Sequence, residues 1–348
     1  MMRVLVSGHD GYIGTVLVPM LQGAGHDVVG LDTFLYEECT FGDDPTPVES
    51  IRKDVRDVEV DDLLGFEAVL HLAAISNDPV GDLNPECTLD LNHRGTIHLA
   101  EVAKSAGVAR FVFSSSCSLY GAGGQDWLDE GAPFAPVTPY GESKLLSERG
   151  LTTLAADDFS PTYLRNATAY GVSPRLRGDL VVNNLVAYAY VTGEVFMKSD
   201  GTPWRPLVHI EDIARAFVAA LEADRNIVHN QAYNIGRTSE NFRIRDVAEI
   251  VEQVVPDSRV RLAESAGPDL RNYRVDCSKA EDSLPGFEPV WTVRAGAEQL
   301  LRAYQEVGLD EALFHGPTLM RIQHVRSLIE SGRLDEMLRW VTDRAVAT

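Results

Sequence analysis

The chain has 348 residues, 45% of them hydrophobic and 24% charged, which is the composition of a globular protein of one elaborate domain or two close ones. Its formal net charge of −21 argues against nucleic-acid binding, which needs a basic surface to contact phosphates. No run approaches the roughly 18 apolar residues of a membrane-spanning helix, so we expect no membrane association.

The start of the chain leads directly into a strand, without the apolar core of a signal peptide. Four cysteines stand far apart with no C-x-x-C pair, so neither a disulfide framework nor a zinc site is predicted. No pair of histidines has metal-ligand spacing with a third partner, and we expect no bound metal. A cytoplasmic location fits these features.

The first predicted strand, residues 4–6, is followed by a glycine-rich turn over residues 7–14 and an apolar helix. The first glycine permits a tight turn, the second lets the backbone approach a pyrophosphate, and the third allows close helix packing. The helix N-terminus presents free N–H groups to the anion. We therefore expect a dinucleotide to contact Gly8, Gly11, Tyr12, Ile13 and Gly14.

The second predicted strand ends in Asp32, eighteen residues after Gly14, where the 2′-hydroxyl of a dinucleotide ribose is usually bound. A carboxylate there accepts hydrogen bonds from the ribose diol and repels a 2′-phosphate, and Thr33 supplies no replacement cation. The sequence therefore favours NAD over NADP as the cofactor.

Two further segments are predicted to face the cofactor. Asp54 and Val55 follow a basic pair and would meet the adenine edge, although a solvated turn explains the acid nearly as well. Residues 68–74 read as a strand buried on both faces of a parallel sheet. Its small last residues leave space for the cofactor, which would contact Leu72, Ala73 and Ala74.

Asn92 opens a predicted helix that ends near Gly107. Its side chain would either face the cofactor or hydrogen-bond the backbone of the next strand. Residues 111–113 then read as a buried strand that runs into three serines. Ligands bind at the carboxyl ends of strands in open α/β sheets, so these hydroxyls belong to the expected site. They are Ser114, Ser115 and Ser116.

Tyr140 and Lys144 are four residues apart, so both lie on one face if the segment through Glu148 is helical. A nearby ammonium would lower the pKa of the phenol from roughly 10 toward working pH, which makes Tyr140 a candidate general base. Such a pair alone most often marks a solvated amphipathic helix. The serine-bearing strand some twenty residues upstream favours the catalytic interpretation.

In their order, these motifs resemble the extended short-chain dehydrogenase/reductase family, in particular its nucleotide-sugar epimerases and dehydratases. The resemblance continues in residues 164–166, in residues 205–212 and in Arg271 before residues 275–276. It implies an α/β fold, a Rossmann-type doubly wound parallel sheet with a smaller, sequence-interleaved substrate lobe. It also implies a homodimer.

The resemblance assigns roles to individual residues. Ser116 would be the catalytic hydroxyl, Tyr140 the acid/base and Lys144 its partner, with Ser114 beside the cofactor. Positions that hold the substrate diphosphate in members similar to UDP-galactose 4-epimerase are matched by Asn166, Arg205 and Arg271. Arginine's planar fork suits phosphate oxygens, although an arginine is also commonly a surface ion-pair partner. Asn183 or Asn184, in a predicted helix, would bond the nucleotide or sugar.

The expected organisation is an NAD-binding Rossmann domain of residues 1–167 joined by 205–236, and a nucleotide-sugar-binding lobe of residues 168–204 and 237–310. Residues 311–348 form a C-terminal helical extension. Apolar residues at helical spacing among many charges predict an amphipathic helix pair over residues 318–344. Packing on the core or a subunit contact explains it, and no chemistry is assigned to it.

The two residues after Ser116 distinguish among reactions of the family. Its 4,6-dehydratases carry an Asp-Glu pair there, and its decarboxylases favour a glutamate at the second position, whereas this chain has Cys117 and Ser118. A 4-epimerase needs no such acid. In that mechanism the phenolate of Tyr140 takes the proton of the sugar C4 hydroxyl while hydride passes to NAD. The 4-keto sugar then turns and is reduced on its opposite face.

Three alternatives stand beside a C4 epimerase. A nucleotide-sugar 4-ketoreductase or dehydrogenase would release its cofactor, although Asp32 weakens an NADPH-dependent version. A C3/C5 epimerase would use Cys117, but relatives of that kind carry the cysteine one residue later, and buried free cysteines are common. A non-catalytic dinucleotide-sensing protein would not need the three catalytic side chains.

Overall fold

The computed structural model of the chain describes residues 1–121, 124, 126–267 and 271–341. Its strands are β1 (Arg3–Ser7), β2 (Asp27–Asp32), β3 (Glu49–Arg52), β4 (Ala68–His71), β5 (Arg110–Ser116), β6 (Trp127–Leu128), β7 (Ser160–Asn166), β8 (Thr168–Tyr170), β9 (Glu194–Ser199), β10 (Trp204–His209), β11 (Gln231–Ile235), β12 (Asn241–Arg243), β13 (Arg259–Gly267) and β14 (Arg274–Val275). Its α-helices are α1 (Gly14–Gly23), α2 (Asp78–Gly81), α3 (Pro85–Leu89), α4 (Gly95–Ser105), α5 (Pro139–Leu154), α6 (Val181–Thr192), α7 (Ile210–Glu222), α8 (Arg225–Val228), α9 (Ile244–Val254), α10 (Ser278–Ser283), α11 (Val293–Val307), α12 (Glu311–His315) and α13 (Arg321–Glu330).

Seven strands form a central parallel sheet in the order β11-β7-β5-β4-β1-β2-β3. The chain winds outward from β1 in one direction through β2 and β3, and in the other through β4, β5, β7 and β11. The strand order therefore reverses between β1 and β4, and such a reversal opens a crevice at the carboxyl ends of the strands. The predicted Rossmann-type doubly wound sheet is confirmed.

The strand predicted over residues 68–74 is shorter in the structure and ends at His71. The His71 ring is fully buried and bonded on both sides, through Nδ1 to the Ser7 hydroxyl (2.6 Å) and through Nε2 to Thr96 (2.8 Å). Burial lowers the pKa of His71 to about 3, so the ring is neutral. The three residues after it leave the sheet and form part of the crevice wall.

A smaller lobe is built from strands outside the central sheet and helices α6, α9 and α11. Strands β8, β10 and β12 form one small sheet, and β9 pairs with β13. Their apolar faces enclose a second core that includes Val186, Val251 and Leu300. The chain enters this lobe after β7 and returns to the central sheet at β11, so the two parts are interleaved in sequence.

The C-terminal segment packs on the sheet domain near the crevice. Val325, Leu328 and Leu334 are buried against Ile75 and Val80. The predicted helix pair over residues 318–344 is wrong in its second half. Among the described residues of that range only α13 is helical, and an antiparallel bridge joins Leu334 to Trp340. The Asp335 side chain accepts the N–H groups of Met337 and Arg339, which favours a turn over a helix. Residues 342–344 lie outside the described residues.

No helix in the described part of the chain combines the length and apolar character that a membrane crossing requires.

A buried ion pair fixes α5 to the central sheet. Arg165 on β7 donates to both carboxylate oxygens of Glu148 on α5, at 2.7 and 3.0 Å. The Ser115 hydroxyl also donates to this carboxylate (2.5 Å), and Arg165 donates to the Tyr120 phenol (3.0 Å). The two charged side chains are only 6% and 7% exposed. Glu148 therefore holds the helix that carries Tyr140 and Lys144.

We expect Glu148→Gln to lower the free energy of unfolding by about 3–5 kcal/mol, because it leaves the buried Arg165 charge without its carboxylate. Urea denaturation followed by circular dichroism measures this change. The control is Glu194→Gln, whose ion pair with Arg261 is 41% and 60% exposed; it should cost less than about 1 kcal/mol. Equal losses of unfolding free energy in the two variants would contradict the importance assigned to the Glu148–Arg165 pair.

Candidate active site

The glycine-rich turn after β1 opens the crevice. Gly8 has a φ of +75°, and a Cβ added there would lie 2.6 Å from the backbone nitrogen of Ala73. Gly14 is the first residue of α1, and a Cβ on it would collide with the carbonyl of Gly8. Side chains at these positions would fill the space between turn, helix and neighbouring strand. Glycine is therefore needed for this close backbone packing, and both glycines line the crevice beside the N-terminus of α1, where an anion is favoured.

Asp32 and Asp54 lie at the far end of the crevice. The Asp32 carboxylate accepts the N–H groups of Phe34 (2.8 Å) and Asp10 (3.1 Å), and burial raises its pKa. Asp54 is not a solvated turn residue, because its carboxylate is 10% exposed and pairs with Arg56 at 2.6 Å. Burial acts to raise the pKa of Asp54, but hydrogen bonds from Arg56 lower it. Asp54 and Val55 both line the crevice.

Ser116, Tyr140 and Lys144 meet near the middle of the crevice. Ser116 ends β5, and Tyr140 lies in the first turn of α5, which the Thr138 hydroxyl caps by accepting the N–H of Gly141 (3.2 Å). The Lys144 ammonium donates to the carbonyl of Ser114 (2.7 Å) and lies 5.6 Å from the centre of the Tyr140 ring. The helical register predicted for this pair is present, and both side chains face the end of β5.

Burial dominates the titration of these side chains. It raises the pKa of Tyr140 to about 12, against the opposing effect of a hydrogen bond with Ser116, and it lowers the pKa of Lys144 to about 7. The predicted lowering of the Tyr140 pKa by Lys144 is therefore wrong for the ligand-free protein. Desolvation penalises both charged forms, and a lysine whose pKa is about 7 is only partly charged at neutral pH, which weakens its field on the phenol.

Three predicted phosphate-binding side chains also line the crevice. Asn166 donates to the Ser114 hydroxyl (3.1 Å), and its buried Oδ1 has no hydrogen-bond partner among the described residues. Arg205 donates to the carbonyls of Trp204 (2.8 Å) and Arg271. The Arg271 guanidinium pairs with Asp78 at 2.6 Å, so this ion pair bridges the two lobes across the crevice.

The structure does not bring Asn92 and Asn183 to the crevice. The Asn92 side chain is fully buried and bonds both backbone groups of Ile75, at 2.8 and 3.0 Å, in the loop after β4. Asn183 uses its amide to bond Gly171 (3.0 Å) and the Tyr12 phenol (3.1 Å). Its neighbour Asn184 lines the crevice instead, because successive residues of a helix point about 100° apart.

Cys117 points away from the crevice. Its thiol is fully buried and donates to the carbonyl of Arg165 (3.1 Å). Burial raises the pKa of this thiol, which disfavours the thiolate that proton abstraction would need. The neighbouring Ser118 lines the crevice and accepts a hydrogen bond from Ser116 at 3.1 Å.

The crevice encloses about 1080 Å³, slightly more than the roughly 300–1,000 Å³ typical of single-ligand pockets. Every predicted site residue except Asn92 and Asn183 lines it. Several lining residues were not predicted from the sequence, because distant segments bring them there; they are Tyr36, Asp78, Arg177, Tyr273 and Arg321. Only Arg177, in a basic run before Asp179, carries a local signal.

Comparison with known proteins agrees with this geometry. The model of the NAD dependent epimerase/dehydratase family matches residues 4–236. The chain is similar to UDP-glucose 4-epimerase of Bacillus subtilis (29% identity, covering 86% of this chain and 94% of that protein). It is also similar to UDP-glucuronic acid decarboxylase 1 of Arabidopsis thaliana (28%, covering 89% and 71%). Among solved structures, MoeE5 in complex with UDP-glucuronic acid and NAD matches with a TM-score of 0.75 and 29% identity, covering 87% of this chain and 99% of that one.

We expect Lys144→Met to change the pH dependence of stability of the ligand-free protein. Burial lowers the pKa of Lys144 from 10.5 to about 7, so between these values the unfolded chain binds more protons than the folded one. Stability of the natural protein should therefore rise with pH across that window. The variant should be relatively more stable at pH 6.5, and this advantage should shrink toward pH 10. Urea denaturation at several pH values tests this, and a constant difference would contradict it.

Proposed function

Because the chain belongs to the NAD-dependent epimerase/dehydratase family, we propose that it is an NAD-dependent nucleotide-sugar epimerase acting at C4 through a transient 4-keto intermediate. One observation carries this proposal. The hydroxyls of Ser116 and Tyr140 meet at the carboxyl end of β5. The two residues after Ser116 are a buried cysteine and a serine rather than the carboxylates of a dehydratase. The similarity to UDP-glucose 4-epimerases supports it.

The residues of the crevice fit the cofactor. The side-chain-free turn at Gly8 and Gly14 accommodates a pyrophosphate, and Asp32 stands where a ribose diol would bind. When bound, NAD supplies the acceptor and donor of the hydride. Holding the sugar against the nicotinamide lowers the activation free energy, because the reacting groups are already close and oriented.

Tyr140 is the proposed proton carrier. Its phenolate takes the proton of the sugar C4 hydroxyl and, as the phenol, later returns it, and Ser116 donates a hydrogen bond to the same sugar oxygen. The raised pKa of Tyr140 keeps the phenol protonated in the ligand-free protein, so the phenol has to lose this proton before it acts as the base. Burial lowers the pKa of Lys144 to about 7, so its amine takes up a proton near neutral pH, and the resulting ammonium stabilises the phenolate.

Asn166, Arg205 and Arg271 are proposed to bind the diphosphate of the substrate. Arginine binds phosphate oxygens with two parallel hydrogen bonds, and the amide oxygen of Asn166 is available to a ligand hydroxyl. In the ligand-free protein Arg271 pairs with Asp78, so a diphosphate must replace that carboxylate. Binding energy from the nucleotide is then available to orient the sugar.

A homodimer in the cytoplasm is proposed as the biological state. All four cysteines are unpaired and buried, which suits a reducing compartment.

We expect the purified protein to convert a UDP-, dTDP- or GDP-sugar to an isomer of unchanged mass without net formation of NADH. Tyr140→Phe removes the proton carrier, so it should lower kcat roughly a hundredfold to ten-thousandfold. Mass spectrometry and NMR of the products measure both, and NMR identifies the inverted carbon.

Other outcomes of this experiment are informative. A mass change of two with stoichiometric cofactor turnover would establish a ketoreductase or dehydrogenase instead. Full activity of Tyr140→Phe would refute the assigned proton carrier. Tight NAD binding without turnover of any sugar would favour a non-catalytic dinucleotide-sensing protein.

We expect Cys117→Ala to leave kcat/KM within roughly a factor of three, because the thiol lies outside the crevice and only packs there and donates to the carbonyl of Arg165. Turnover in deuterium oxide should give product without deuterium at C3 or C5. A large loss of activity together with deuterium at either carbon would support the C3/C5 epimerase alternative.

A further inference from the structure

The first turn of α13 forms part of the crevice wall. Met320, Arg321, Ile322 and Gln323 all line the crevice, although they lie beyond the part of the chain that the family model matches. The extension thus contributes to the site as well as packing on the domain. The sequence alone assigns no chemistry to this segment.

Arg321 is a buried cation that forms no ion pair with a carboxylate in the described part of the chain. Only 2% of the residue is exposed, its guanidinium lies 4.0 Å from the centre of the Tyr36 ring, and Nη2 donates to the carbonyl of Arg175 (2.8 Å). Its Nη1 has no hydrogen-bond partner among the described residues. A buried guanidinium in this state is costly, because one hydrogen bond and the Tyr36 ring replace only part of its lost hydration.

The nearby acidic groups are unable to neutralise Arg321. The Asp179 carboxylate acts on it, but that carboxylate is already bonded to Arg177 (2.5 Å) and Asn77 (2.6 Å). Burial raises the pKa of the neighbouring Cys39 thiol, which is therefore neutral. Burial also lowers the pKa of Arg321 itself.

The helix adds to the positive field at this point. Arg321 is the first residue of α13, where the free N–H groups and the helix dipole favour an anion. The first turn of this helix has no acidic side chain, and Met320 provides no side-chain cap. Helices usually have acidic side chains in their first turn, and α13 has an arginine there instead. An anionic ligand bound at this end of the helix would explain the exception.

The contacts of Arg321 place this positive region on the cofactor side of the crevice. The Arg175 residue whose carbonyl it bonds also pairs through its side chain with Asp10, in the glycine-rich turn, at 2.9 Å. Tyr36 follows Asp32 in the loop after β2. Asp10 lies in the glycine-rich turn and Tyr36 lies four residues after Asp32, so both are next to positions expected to hold the dinucleotide, whereas Arg175 itself belongs to the expected nucleotide-sugar-binding lobe.

We propose that Arg321 and the N-terminus of α13 recognise a diphosphate group bound in the crevice, so that the C-terminal extension is part of the ligand site. The cofactor pyrophosphate and the substrate diphosphate share this chemistry, and the neighbours of Arg321 favour the cofactor. The inference rests on the proposed function only in that a dinucleotide or nucleotide sugar occupies the crevice.

The test compares Arg321→Met and Arg321→Lys with Arg326→Met, which removes an exposed arginine from the same helix. Calorimetry on the full chain freed of dinucleotide gives the affinities for NAD, ADP-ribose and adenosine. A second titration measures UDP binding to the NAD-loaded protein. Thermal unfolding with and without NAD is recorded for each variant. Because these experiments measure binding alone, a negative result for Arg321 can be distinguished from a failure of the protein to turn over a nucleotide sugar.

We expect Arg321→Met to weaken NAD and ADP-ribose binding on the order of tenfold to a hundredfold, the worth of one charge-assisted contact. Adenosine binding should not change, Arg321→Lys should recover part of the loss, and Arg326→Met should behave as the natural protein. The ligand-free Arg321→Met variant should melt no lower than the natural protein, while its stabilisation by NAD shrinks.

A loss confined to UDP would also support diphosphate recognition, with the substrate as its source. Two results would overturn the proposal. One is unchanged affinity for every phosphate-bearing ligand. The other is an equal loss for adenosine accompanied by a lower melting temperature of the ligand-free variant, because both effects would follow if Arg321 only held the extension in place.

Discussion

The ion pair between Glu148 and Arg165 is the contact on which the geometry of the site depends. Glu148 lies one helical turn beyond Lys144 on α5, and Arg165 lies on β7 one residue before Asn166. The pair thus fixes the helix that carries the proposed acid/base against the strand that carries a proposed phosphate ligand. Because both charges are removed from water, neither partner is stable without the other. Ser115 extends the same connection to β5, the strand that ends at Ser116.

Burial explains the electrostatic state of the proposed catalytic side chains better than their proximity does. Burial raises the pKa of the Tyr140 phenol and lowers the pKa of the Lys144 amine, because the neutral forms lose less hydration free energy on burial than a phenolate and an ammonium do. A sequence interpretation that considers only the Tyr140–Lys144 spacing misses the desolvation that opposes ionisation of the phenol.

Local patterns in the sequence were sufficient to predict the parallel sheet, the glycine-rich turn, Asp32 at a strand end and the register of Tyr140 and Lys144. Each of these depends on residues within one strand–turn–helix unit. The failures depend on contacts between distant segments. Whether Asn183 or Asn184 faces the crevice is set by the rotation of α6 against the core, and the position of Arg321 is set by packing of the C-terminal segment on the loop after β4. The spacing of apolar residues within a single helix or strand predicts neither contact.

The overall acidity of the chain and the chemistry of its site are reconciled by where the charges lie. Across the whole chain 31 basic residues face 52 acidic ones. In the crevice the basic side chains Lys53, Lys144, Arg177, Arg205, Arg271 and Arg321 slightly outnumber the acidic side chains Asp32, Asp54, Asp78, Asp82 and Asp179. Surface charges are screened within about 8–10 Å at physiological ionic strength, whereas enclosed charges are screened much less. A bound diphosphate therefore meets positive side chains that the strongly acidic composition of the chain does not predict, and two of them, Arg177 and Arg321, were not predicted as ligands from the sequence.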